Sequence, residues 1–211
     1  MDYTNAFGAE FREVDDRTHD GQSVRVLVAT RLYATDRDDL WNAVTDAERL
    51  PRWFMPVTGR LELGGRYQLE GNAEGSILQC DPPEAFEVTW EFGGNASWVH
   101  VSVAQEVGGA RLTLEHLLPK DEASEKHWKQ YGPGAAGVGW DLTFLGLALH
   151  LESDGQAIDR GQSDAWLVSD AGKAFMRTSS SLWREAHVKA GEDSEVAEAM
   201  ARRTADFYTG S

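Results

Sequence analysis

The spacing of hydrophobic positions switches repeatedly along the chain between the period of a strand and that of a helix. In "QSVRVLVATRLYA", residues 22–34, apolar and polar positions alternate and valine is frequent, which predicts a half-buried strand. The segment around Ala9 to Val14 is placed to pair with it across the turn "DDRTHDGQ". Behind Asp36, a residue suited to cap a helix, Leu40, Trp41 and Val44 recur at helical spacing. A second cap, Asp46, opens a short helix that Pro51 joins to "RWFMP". Glycine pairs and Asp81-Pro82-Pro83 then separate six strand-like runs, near 59–63, 66–70, 75–81, 85–92, 97–106 and 110–118. Short runs between glycine turns predict an antiparallel meander. Phe86, Val88, Trp90 and Phe92 point to one face and Glu87, Thr89 and Glu91 to the other. Leu112, Leu114, His116 and Leu118 likewise oppose Arg111, Thr113 and Glu115, so one face of the sheet is covered and one is wet.

After a polar interval, 119–131, comes "GPGAAGVGWDLTFLGLALHL", residues 132–151, with one formal charge. A membrane span needs about 20 mostly apolar residues, and the strongly apolar part, Leu142 to Leu151, is half that. Wound into a helix, the segment puts Val138, Leu142, Leu145 and Leu149 on one face. Trp140, Phe144, Leu147 and Leu151 fall on nearly the opposite face, with a narrow strip of Gly139, Thr143, Gly146 and His150 between them. A helix apolar on two opposite sides is sandwiched between two layers of protein. Residues 152–162 read as a linker. Two further helices follow, one from a cap at Asp170 to about Ala190, ended by Gly191, and one from Ser194 to about Tyr208. This tail, 163–208, carries Phe175, Leu182 and Trp183 that need burial, and is the cover for the second apolar face, Trp140, Phe144, Leu147 and Leu151.

The rest of the composition narrows the function classes. Over 211 residues, 35 acidic against 20 basic side chains give a net charge of −15, which disfavours nucleic acid and anionic membrane surfaces as partners. The lone cysteine, Cys80, allows no internal disulfide and fits a reducing compartment. "MDYTNAFGAEFREVDD" has neither a basic nor an apolar leader region, so a cytoplasmic location is expected. Cys80 has no basic neighbour in sequence to lower its pKa, and no G-x-S-x-G elbow is present. The six histidines are dispersed, so neither a metal nor any other cofactor is expected; His116, Glu122, Glu125 and His127 lack a recognised ligand spacing. The charged run "WREAHVKAGEDSE" reads as a solvated helix end and turn.

The order of elements, strand, two short helices, six-stranded meander and long helix, resembles the helix-grip fold of the START and polyketide-cyclase (SRPBCC) superfamily. The motifs "LWNAVTDAERLPRWF", "LELGGRY", "CDPPEAFEVTWEF", "ARLTLEHLLP" and "GVGWDLTFLGLALHL" resemble, in that order, the family of activators of heat-shock-protein-90 ATPase, homologue 1-like. The resemblance runs from about Arg31 to Leu151, and the tail resembles an extension seen on some bacterial members. It implies an α+β helix-grip domain over residues 9–151, the linker 152–162, a helical extension over 163–208 packed on the domain, and an apolar cavity between sheet and helix. It does not imply one chemistry.

Within that frame Trp53, Phe54, Trp90, Trp140 and Phe144 would converge between sheet and helix, with Phe86, Val88, Leu114 and His116 beside them, and would line a pocket for an apolar or aromatic ligand. The simpler reading of any one aromatic is core filling. His116 interrupts an inward row of leucines, and Asp141 is the carboxylate expected above its strand, a pair that a general acid/base would use. The simpler reading is a buried histidine satisfied by its neighbours, and the family carries a histidine here across unlike functions. His100 can face either side of its strand. The expected function is binding of a small hydrophobic molecule in the cavity, leaning away from an enzyme. The alternatives are a cyclase or aromatase that encloses and orients its substrate, or a chaperone cofactor. A homodimer or a chaperone are the corresponding protein partners.

Overall fold

The computed structural model describes residues 7–210; residues 1–6, part of the stretch read as lacking a leader, lie outside the described residues. Eight strands form one antiparallel sheet in the order β1-β2-β8-β7-β6-β5-β4-β3. They are β1 (Phe11–His19), β2 (Gln22–Tyr33), β3 (Val57–Gly59), β4 (Arg66–Leu69), β5 (Glu74–Asp81), β6 (Ala85–Phe92), β7 (Asn95–Glu106) and β8 (Gly109–Pro119). Between β2 and β3 lie helix α1 (Arg37–Thr45) and a 3-10 turn, Leu50–Arg52. After β8 come α2 (Glu122–Tyr131), α3 (Gly134–Glu152), α4 (Arg160–Leu167), α5 (Asp170–Lys189) and α6 (Ser194–Thr209). The architecture is a helix-grip fold, a curved sheet against the long helix α3, with further helices behind it.

Local chemistry sets most boundaries. Asp20 and Gly21, both at positive φ, make the two-residue turn that brings His19 opposite Gln22 and joins β1 to β2. The Asp36 side chain accepts from the Asp39 amide and starts α1, and Asp46 accepts from the amides of Glu48 and Arg49 ahead of the 3-10 turn. Several expectations are corrected. The strand expected at 59–63 is Val57–Gly59, because the chain turns at 60–65 and the Gly65 amide bonds back to Glu62. The polar interval contains helix α2, capped by Asp121; it buries Trp128, whose ring lies 4.1 Å from the Arg25 guanidinium. Helix α5 is capped by Ser169, and Asp170 sits in its first turn. Helix α4 begins inside the expected linker, capped by Asp159.

The sheet's second face is not uniformly wet. Val24, Val26, Val28 and Leu117 form a buried cluster there under Trp98, whose ring meets that of His19 at a tilt. Phe92, at the end of β6, passes beyond the core and is exposed.

Helix α3 is packed on two sides. Trp140, Phe144 and Leu147 join the main core against the sheet. Val138, Leu145 and Leu149 face Phe175 and Met176 of α5. The face that the tail covers is therefore the valine and leucine face, reversing the assignment drawn from periodicity. The bulky aromatics go where the concave sheet leaves room, and the thinner side chains go where helix meets helix. The run read as a solvated helix end is corrected too: Trp183 is fully buried, and Ala186 and His187 are buried beside it. None of the described helices is long and apolar enough to cross a membrane.

Candidate ligand-binding site

Between the sheet and α3 lies a cavity of about 580 Å³. Its floor is the concave face of the sheet, where alternation sends Phe86, Val88 and Trp90 of β6 and Leu112 and Leu114 of β8 inward. Its roof is Trp140, Thr143, Phe144 and Leu147 of α3. Trp41 and Val44 of α1, with Trp53 and Phe54 beyond the 3-10 turn, close one side, and the partly exposed Leu61 stands on the lining where β3 turns toward β4. Trp53 is held by its indole N–H, which donates to the Ala43 carbonyl at 2.9 Å. Tyr67 donates to the Thr89 carbonyl, and burial pushes its phenol well above the usual range. Tyr33 behaves alike, donating to the Phe144 carbonyl.

Eight of the residues singled out in the sequence line this chamber: Trp53, Phe54, Phe86, Val88, Trp90, Leu114, Trp140 and Phe144. Trp41 and Cys80, not singled out as lining residues from the sequence, also line it. Trp41 sits on the same helix as Leu40, but that helix's periodicity did not show which of the two faces the cavity.

His116 does not line this chamber but borders a second cavity on the flank of α3. It is buried at the foot of the wall, where Trp140 Nε1 donates to its Nδ1 at 3.1 Å. An indole can only donate, so Nδ1 accepts and the ring proton sits on Nε2. Nε2 then donates to Ser97 Oγ at 2.9 Å, and the Ser97 hydroxyl donates to the Trp90 carbonyl at 3.2 Å. Every polar side-chain atom of this relay is satisfied with the imidazole neutral, and burial pushes its pKa down to about 4. This is a structural histidine that locks β6, β7, β8 and α3 together.

Asp141 is corrected as well. It does not lie above His116 but points toward β1 and α5, where it is fully buried. Its carboxylate accepts from the Ala9 amide, from Arg12 Nε at 3.0 Å and from Arg12 Nη2 at 2.8 Å. The Ser179 hydroxyl and Trp183 Nε1 complete its shell. The acid/base pair expected from the sequence is therefore not formed. Sequence could not separate these roles because Trp140 and Asp141, adjacent in the chain and about 100° apart around one helix, meet different neighbours, Trp140 the sheet and Asp141 β1 and α5. His100 faces the outer side of the sheet beside Glu87.

The chamber, the two-sided helix and the helical cover define a helix-grip protein with a closed back. Residues 34–152 match the model of the family described as activator of Hsp90 ATPase homolog 1-like protein, and the chain belongs to that family. The solution structure of CalU16 from Micromonospora echinospora is 29% identical, with a TM-score of 0.69 over 88% of this chain and 98% of that one. Its crystal structure gives 26% identity and 0.65 over 86% and 98%. Matches of that extent necessarily run past Glu152 into the C-terminal helices. DynU16, a protein of the dynemicin biosynthetic locus, shares the fold at 21% identity and a TM-score of 0.51, over 62% of this chain and 49% of its own. No curated protein matches the chain in sequence.

Proposed function

We propose that the protein binds a small hydrophobic or aromatic molecule in the chamber between sheet and helix. The observation that carries this is the chamber itself. About 580 Å³ of space is lined mainly by aromatic and aliphatic side chains drawn from the sheet, α1 and α3, within the size and chemistry of small-molecule sites. The environment argues against acid/base catalysis, because its buried histidine is satisfied in the neutral form and its buried carboxylate is engaged elsewhere. Large exposed apolar side chains, such as Phe11, Phe92, Val107 and Phe207, are spread over different elements, which argues against the broad apolar surface a chaperone cofactor would present.

Cys80 provides a reporter, since it lines the chamber and is the chain's single thiol. Titration with the neutral fluorophore phenyl-naphthylamine is expected to saturate at one per chain and to slow alkylation of Cys80 several-fold. No uptake, or uptake that leaves the alkylation rate unchanged, overturns the reading. Native mass spectrometry of freshly purified protein then looks for the natural occupant.

A further inference from the structure

The strip Gly139–Thr143–Gly146 belongs to neither packed face of α3, and it has a use of its own. It lines a second cavity of about 620 Å³ on the flank of the helix, enclosed by the 3-10 turn, α4 and Tyr208. The missing side chains keep this space open. A Cβ at Gly139 would sit 3.4 Å from Tyr208 Oη, and one at Gly146 would sit 3.2 Å from the Trp53 carbonyl oxygen. Trp53, Phe54, Trp90, Trp140 and Thr143 line both cavities. The two are adjacent compartments divided by a wall of single side chains.

Their chemistry differs. The inner chamber is mostly apolar, with Asn42, Thr45, Asp46 and Thr143 as its polar lining, whereas the outer one is lined also by Asp164 and by two exposed arginines, Arg52 and Arg160. Most guanidinium groups in this acidic chain are paired. Among the described residues, Arg52, Arg160, Arg177 and Arg202 have head groups with no hydrogen bond or ion pair, and two of these four lie on this one cavity. Backbone bonding brings the two together: the Ile158 amide donates to the Arg52 carbonyl at 2.7 Å, and Arg160 opens α4 two residues later. Asp164, one turn along α4, pairs with neither. Two unpaired planar forks beside an apolar chamber suit an oxyanion, which guanidinium groups bind by charge-assisted hydrogen bonds.

We propose that the two cavities are one bipartite site for an elongated aromatic acid, with its ring system in the inner chamber and its anionic group between Arg52 and Arg160. The proposal rests on the reading of the inner chamber as a ligand site and adds the ligand's second half. It also gives the C-terminal extension a direct part in recognition, because α4 supplies one of the two arginines.

Two probes with related rings separate the proposal from the reading beneath it: neutral phenyl-naphthylamine and anilinonaphthalene sulfonate, which adds an anionic group. In the wild type the sulfonate is expected to bind about tenfold more tightly, the gain of charge-assisted hydrogen bonds. The double variant Arg52→Gln/Arg160→Gln should lose that preference and keep its affinity for the neutral probe. Among the described residues neither arginine head makes a hydrogen bond or ion pair, so the variant should also keep its melting temperature. Equal affinities for the two probes in the wild type overturn the bipartite site and leave the inner chamber standing. So does a double variant that still prefers the sulfonate, or one that weakens both probes alike. Failure of both probes to bind the wild type overturns the chamber reading and the proposal together.

Discussion

Gly137 on α3 and Trp183 on α5 fit each other so closely that a Cβ at Gly137 would lie 2.3 Å from Cε2 of the indole. The contact seats α5 on the back of α3 and aims Trp183 Nε1 at Asp141, 3.2 Å away. Gly137→Ala must displace the indole and weaken that bond. Overpacking of this kind costs about 1–3 kcal/mol, against a helix-propensity gain of about 1 kcal/mol. A net loss of stability is expected, read as a lower melting temperature. Gly139→Ala is the matched control, because its added Cβ meets only the Tyr208 hydroxyl at 3.4 Å; it should be neutral or stabilising.

Asp141→Asn is expected to be among the most damaging single changes in the protein. It leaves the Arg12 guanidinium, whose side chain is 6% exposed, with its countercharge removed. Breaking one half of a buried pair costs about 3–5 kcal/mol, which chemical denaturation would resolve. A cost below 1 kcal/mol, roughly that of a surface pair, would mean that water reaches the site.

His116 makes stability depend on pH in a defined window. Its pKa in the folded state is about 4 against 6.5 for the free side chain. The unfolded chain therefore takes up a proton below pH 6.5 that the folded chain refuses until about pH 4. The stabilising contribution is complete above 6.5 and is lost as pH falls through the window between the two values. The loss amounts to roughly 3 kcal/mol. Burial also lowers the pKa of His150 and His187, which act with the same sign. The test is thus the difference in slope between wild type and His116→Gln, with a shallower slope expected in the variant.

Trp90→Ala distinguishes pocket from core without knowledge of the ligand. A packed tryptophan costs about 3–5 kcal/mol on truncation. Trp90 packs against Trp140, with ring centroids 5.2 Å apart, but it also borders both cavities. Its loss should cost less than about 3 kcal/mol, because existing space is enlarged rather than a new void opened.

Truncation after Ser153 removes α4, α5 and α6. Val138, Leu145 and Leu149 then lose their cover, each worth about 1.5–3 kcal/mol when fully buried, and Asp141 loses Ser179 and Trp183. Aggregation or loss of a cooperative thermal transition is expected. A monomeric fragment with an unchanged melting temperature would show instead that the sheet and α3 suffice.

Much of this was legible in the chain and some could not be. Period-two alternation placed Phe86, Val88 and Trp90 on the concave face because β6 pairs with β7 in unbroken register along its whole length. Capping aspartates marked α1 because cap chemistry is local. Helix α2 was hidden because its polar face is long and its one buried anchor, Trp128, leaves no apolar period. The exchange of α3's two faces was hidden for another reason. Periodicity identifies opposite faces, but which partner each meets depends on the depth of the sheet's curve. Arg12 and Asp141 are 129 positions apart, and nothing local in either announces the other.

A helix packed on both sides has lost a degree of freedom. Here the bond from Trp183 to Asp141 fastens it from behind as well as from the sheet. Any widening of the inner chamber would then fall to its other walls. The short turn carrying Trp53 and Phe54 is held by the Trp53 indole on Ala43 and by the Arg52 carbonyl on Ile158. Arg49, just ahead of the turn, adds bonds to Asp39, Asn42 and His150, and the strength of this network, rather than the packing of the helix, would set how long the proposed guest stays.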